Sequence, residues 1–173
     1  MKQPNASGDT KGVVILEKDG QFLADIRDAL KDDPGVRIIG ERVDLPGATA
    51  LLMEEIEEVP DVILAGLDLL KEAVASDAGA LLALREKMPG TKLIVTSERY
   101  TDEEIFRMIH EGIRGFFLKG TPPALIAKCI RVVLAGGMWM DNTFIARVFE
   151  EVSRRDIERT KGRDRGGSQP NIA

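Results

Sequence analysis

The sequence predicts an α/β domain: one five-stranded parallel sheet, doubly wound, with five helices on its two faces and an extra helix at the C-terminal end. Two observations carry this. Five short runs are apolar at successive rather than alternate positions, which means burial on both faces. Each run is followed by a segment with apolar residues at helical spacing, so strands and helices alternate from about residue 12 to residue 136. Right-handed crossovers fold such a chain into a doubly wound sheet whose ligand site lies at the carboxyl ends of the strands.

The strands are Val13-Val14-Ile15-Leu16, Val36-Arg37-Ile38-Ile39, Val62-Ile63-Leu64-Ala65, Leu93-Ile94-Val95-Thr96 and Phe116-Phe117-Leu118. Phe22, Leu23, Ile26, Ala29 and Leu30 mark the first helix, and Ala48, Leu51, Leu52 and Ile56 the second. Ala78, Leu81, Leu82, Leu84 and Met88 mark the third, with residues 69 to 78 as the loop before it. Thr101-Asp-Glu-Glu104 is a capping box that opens the fourth, with Ile105, Met108 and Ile109 facing inward. Thr121-Pro122 reads as an N-cap followed by proline at the first helical position. Leu125, Ile126, Cys129, Ile130 and Val133 then line the fifth. Phe144, Ile145, Val148, Phe149 and Val152 give a sixth amphipathic helix, expected over residues 141 to 159. Residues 1 to 11 and 160 to 173 have the composition of a disordered leader and tail, which leaves residues 12 to 140 as the domain.

Composition limits the function classes. The 43% hydrophobic and 31% charged content are ordinary for a soluble globular protein. The net charge of −5 divides into −8 before Arg154 and +3 from it onward, so the chain as a whole carries no nucleic-acid footprint. The basic tail is diluted by Asp156, Glu158 and Asp164 and is expected to be solvated. The single cysteine, Cys129, excludes an internal disulfide and fits a cytoplasmic location. The polar start, MKQPNASGDTKG, does not read as a signal peptide, and no run approaches the roughly 18 apolar residues of a membrane span. No phosphate-cradling glycine loop follows any strand, so a nucleotide-dependent enzyme is disfavoured. His110 is the only histidine and has no cysteine cluster beside it, so it is expected to be structural.

Three stretches in order, LREKMPGTKLIV (84 to 95), EGIRGFFLKG (111 to 120) and VVLAGGMWM (132 to 140), resemble the receiver domains of bacterial response regulators. The resemblance covers about residues 12 to 140 and is closest to the subfamily that precedes a LuxR-type helix-turn-helix. It implies a flavodoxin-like fold. It also implies an acidic pair that holds Mg²⁺ after the first strand and a phosphoryl-accepting aspartate ending the third. A Thr or Ser ends the fourth strand and a Lys the fifth. A carboxylate nucleophile there attacks phosphorus while Mg²⁺ and Lys offset the charge on the phosphoryl oxygens.

On these landmarks Lys119 matches the lysine and Ser97 the hydroxyl. The acidic pair is altered. Glu17 stands for the first acid, but Lys18 falls where the direct metal ligand belongs, and an ammonium has the wrong sign for Mg²⁺. Lys18 could replace the metal as the local cation, and Asp19 could supply a ligand if the turn shifts by one residue.

The acceptor position depends on how DVILAGLDLL (61 to 70) is counted. In the family the nucleophile follows Pro-Asp by four apolar residues, and that count from Pro60-Asp61 lands on Gly66. Counting backward from LREKMP lands near Leu69, within one residue of Asp68. The forward count runs inside a strand, where length is constrained, and is preferred over a count that crosses a loop. In extended chain Gly66 and Asp68 point the same way, with Asp68 roughly 6 to 7 Å farther out.

The expectation is therefore a degenerate receiver: a non-enzymatic protein-interaction module, independent of aspartyl phosphorylation, with no cofactor. Its partner would be a signalling protein or a second copy of itself. The resemblance places the binding face on the fourth helix, fifth strand and fifth helix, with Ile105, Arg107, Met108, Phe116 and Leu125 as candidates. Nucleic acid is not expected as a partner, since too few residues follow the sixth helix for the usual output domain, and membrane is not expected, since no long apolar run is present. The alternative is a working phospho-acceptor that uses Asp68 with Glu17, Asp19 and Mg²⁺. The aromatic position before the lysine is filled by Phe116 and Phe117, either of which could be core, and Tyr100 lies just past Ser97.

Overall fold

A computed structural model describes residues 10 to 76 and 86 to 164. Its chain separates into two units, residues 1 to 139 and residues 140 to 173.

The first unit holds strands β1 (Lys11–Leu16), β2 (Val36–Arg42), β3 (Val62–Gly66), β4 (Lys92–Ser97) and β5 (Gly115–Leu118). All pair in parallel in the order β2-β1-β3-β4-β5. The order reverses between β1 and β3, and at that switch point the strand ends splay to leave a site. Alternation along β1 shows why its run is apolar throughout. Val13 and Ile15 enter one core with Phe22, Leu23, Ile26 and Ile130. Val14 and Leu16 enter the other, with Ala48, Leu51, Leu52 and Leu69.

Helix α1 (Gly20–Leu30) is capped by Asp19, whose carboxylate accepts the N–H groups of Gln21 and Phe22. Helix α2 (Leu45–Ala50) runs into a π-helical turn, Leu51–Glu55, and together they bury Ala48, Leu51 and Leu52. The acidic run that follows is partly paired. Glu55 meets Arg42, and Glu58 lies 2.6 Å from Arg37, both arginines of the edge strand β2.

The largest departure from expectation comes after β3. Residues 69 to 76, expected to be loop, belong to helix α3 (Leu67–Ser76), which begins directly at the strand end. LDLLKEAVAS is rich in strong helix formers, and Leu67 and Leu69 are buried. The expected helix over Ala78, Leu81, Leu82 and Leu84 falls on residues outside those described; Met88 at its end is buried.

Helix α4 (Asp102–His110) opens with the predicted box. The Thr101 hydroxyl accepts from the Glu104 N–H at 3.1 Å, and the Thr101 N–H donates to the Glu104 carboxylate at 2.8 Å. Helix α5 (Ile126–Leu134) is entered through a 3₁₀ turn, Pro123–Leu125, without a side-chain cap, so Thr121 does not serve as one. The Leu125 N–H bonds the Pro122 carbonyl instead. Past α5, Trp139 adds a bridge to the edge of β5, with its ring stacked 6.4 Å from Phe117.

The second unit contains helix α6 (Asn142–Asp164), five residues longer than the expected end at 159. Asp141 accepts the Thr143 N–H at 2.8 Å before its first turn. Ion pairs from Arg154 and Arg155 to Glu151, and from Arg154 to Glu158, carry the helix past Val152, where the apolar pattern ends. Among the described residues no helix is long and apolar enough to cross a membrane.

Candidate functional site

The site is assembled by strand register. Leu16 pairs with Ala65, Gly66 with Thr96, and Thr96 with Phe117. The next residues along β1 and β5 are Glu17 and Lys119, so Glu17, Gly66, Thr96 and Lys119 collect at the carboxyl ends of four strands.

Glu17 lies at the centre and is 3% exposed. One carboxylate oxygen accepts the Thr96 hydroxyl at 2.7 Å. The other accepts the Lys119 ammonium at 2.8 Å and the Asp19 N–H at 3.0 Å. The Lys119 ammonium also stands 3.5 Å from Asp19 and 5.2 Å above the Phe22 ring. A buried carboxylate is tolerated only when its charge and lone pairs are satisfied, and these three donors do that.

Gly66 ends β3 and is fully enclosed. A Cβ built on it would stand 3.2 Å from each carboxylate oxygen of Glu17, tighter than ordinary contact. The missing side chain is what leaves room for Glu17. Asp68 is elsewhere: it is exposed in the first turn of α3, where a carboxylate suits the helix dipole. The expectation that Asp68 points with Gly66 assumed extended chain, and the helix that begins at Leu67 removes that parity.

Two further residues differ from expectation. The hydroxyl in the site is that of Thr96, not Ser97. Ser97 is one residue along β4, and its Oγ bonds the backbone of Arg99. Thr96 is the first hydroxyl after the apolar run, and the Gly66 register would have singled it out. Lys18 is not the cation beside Glu17. It turns out to Glu72 on α3, forming an ion pair across the mouth of the site, while Lys119 supplies the local positive charge. Neither Glu72 nor α3 was legible, because that stretch was read as loop.

Asp19 is committed to capping α1. The Phe22 N–H, together with Lys119 and the Gln21 N–H, holds its carboxyl below the usual range. Tyr100, past β4, donates its hydroxyl to the carbonyls of Val95 at 2.6 Å and Phe117 at 3.1 Å. Its ring meets Phe116 edge-on at 5.9 Å, and burial pushes its phenol pKa up. Tyr100 thereby ties β4 to β5 behind Thr96.

The donor set does not suit Mg²⁺. A hard cation wants several free oxygens. Glu17 already accepts three donors, one of them the Lys119 ammonium, and Asp19 divides its oxygens between the cap of α1 and Lys119, while the residue after Glu17 is Lys18. Among the described residues no group of three or more His, Cys, Asp or Glu is placed to hold a metal ion.

On the expected binding face, Ile105 (2% exposed), Met108 (7%) and Phe116 (1%) belong to the core. Ile105 and Met108 form the buried stripe of α4, and Phe116 is a buried residue of β5. Arg107 and Leu125 are exposed, as is His110.

No protein-family model matches the chain. It is 28% identical over 104 residues to the oxygen regulatory protein NreC of Staphylococcus epidermidis, covering 58% of this chain and 47% of that protein. It is 27% identical over 145 residues to the nitrate/nitrite response regulator protein NarP of Escherichia coli, covering 84% of this chain and 63% of that protein. The chain therefore spans about half to two thirds of the length of these relatives. The isolated receiver (REC) domain of RcsB from Salmonella enterica serovar Typhimurium superposes with a TM-score of 0.68 at 18% identity, over 82% of this chain and 99% of that domain. In fold the chain matches a receiver domain, and in sequence it is similar to response regulators. In this fold Lys119 follows the end of β5, Thr96 pairs with Phe117 and with Gly66, and Gly66 ends β3.

Proposed function

We propose that this receiver is a protein-interaction module of two-component signalling that works without aspartyl phosphorylation. The observation that carries the reading is the strand end: Gly66 offers no nucleophile, and Glu17 fills the space beside it with all its charge already partnered. Lys18 at the metal-ligand position gives independent support. An acceptor that lacks both its carboxylate and its cation has lost the groups that stabilise the transferring phosphoryl.

The partner is a signalling protein. Its docking face is the exposed part of α4, β5 and α5, where Arg107, His110, Leu125 and Lys128 are accessible. Self-association through the same face is the alternative occupant.

Intact-mass spectrometry after incubation with acetyl phosphate and Mg²⁺ tests the reading. No mass gain is expected, and beryllofluoride with Mg²⁺ leaves the backbone NMR shifts of residues 64 to 69 unchanged. A phosphoryl adduct that disappears in Asp68→Asn would replace this reading with a working acceptor at Asp68.

A further inference from the structure

We infer that Glu17, reaching in from β1, supplies the carboxylate that an acceptor residue would otherwise place at the end of β3, and so holds the turn into α4 in one fixed state without an added group. This rests on the non-acceptor reading and adds what takes the acceptor's place.

The argument is spatial. In an acceptor, the negative charge grows from the last residue of β3 and is met by a lysine after β5 and a hydroxyl at the end of β4. Here those two groups are Lys119 and Thr96, and both are engaged by a carboxylate. It comes from β1 rather than β3. Glutamate has one more methylene than aspartate, and its carboxylate carbon lies 3.4 Å from where a Gly66 Cβ would be. A carboxylate grown from position 66 would fall on the same volume. The exchange needs both changes: a longer acid at 17 and no side chain at 66.

The consequence reaches the docking face. Thr96 is buried and bonded to Glu17, and Tyr100 is fixed by the Val95 and Phe117 carbonyls on either side of it. The turn from Ser97 to Thr101 and the start of α4 are therefore anchored from both ends by bonds that need no added group.

A second role for Glu17 is to close its own turn through the Asp19 N–H. Sign epistasis separates the two. In the full chain, Glu17→Ala lowers Tm by about 10 °C, because Lys119 loses its buried counter-charge. Gly66→Asp alone also lowers Tm, since its carboxylate is forced against Glu17. The double variant Glu17→Ala/Gly66→Asp regains at least half of the loss, and the amide NMR shifts of residues 97 to 101 return toward those of the parent. If Glu17→Ala does not fold, folded protein from the double variant is the same rescue. A double variant no more stable than either single, or unfolded like Glu17→Ala, overturns the inference. A phosphoryl adduct on the parent chain would instead refute the non-acceptor reading, and the rescue would still report where the Glu17 charge acts.

Discussion

Replacing Lys119 by methionine removes the charge from the site while keeping most of the side-chain stem. The ammonium is 2.8 Å from Glu17, and the two side chains are 17% and 4% exposed. Coulomb attraction at such a place is little screened, and removing one partner leaves the other buried and unpaired, at a cost of about 3 to 5 kcal/mol. Thr96 and the Asp19 N–H still donate to Glu17, so the lower end applies, about 3 kcal/mol. For a body of this size that is a fall in Tm of about 12 °C. The assay is chemical and thermal unfolding followed by circular dichroism. Adding Glu17→Gln to Lys119→Met neutralises the stranded charge, and the double-mutant cycle then shows a coupling of at least about 1.5 kcal/mol. A loss below about 0.5 kcal/mol for Lys119→Met, the behaviour of an exposed pair, would refute the claim that this charge pair anchors the site.

Thr101→Ala removes the hydroxyl that caps α4 and costs about 1 kcal/mol by urea denaturation. The folded pKa of Asp19 is depressed, so its contribution is present above the ordinary carboxylate value and is lost as pH falls through the folded one. Asp19→Asn therefore flattens the acid limb of the stability curve below about pH 4, with a cost under about 1 kcal/mol at pH 7 because the side chain is 40% exposed. Truncation after Met140 removes the apolar stripe Phe144, Ile145, Val148, Phe149 and Val152, and a change in Tm or in elution volume is expected; identical behaviour of the two forms would mark α6 as independent of the rest.

Periodicity alone determined the sheet and most helices of this protein. Apolar runs buried on both faces and capping signals such as Thr101 with Glu104 are local, and local patterns survive into the structure. Lys119, Glu17 and Gly66 were legible for the same reason: each sits at the end of an apolar run, where strand length is constrained. Position along a strand end was harder. Taking Ser97 for Thr96 is an error of one residue, and one residue along a strand changes the face. Asp68 was misplaced because LLKEAVAS was read as loop, and a helix beginning at Leu67 turns the chain away from the site. The partner of each charge was not in the sequence at all. That Lys18 meets Glu72 while Lys119 meets Glu17, across 54 and 102 residues, is decided by which strand ends the sheet order brings together. The same holds for the central feature: a glycine on β3 matters because packing sets a glutamate from β1 against it, and only tertiary contact could show that the space was filled.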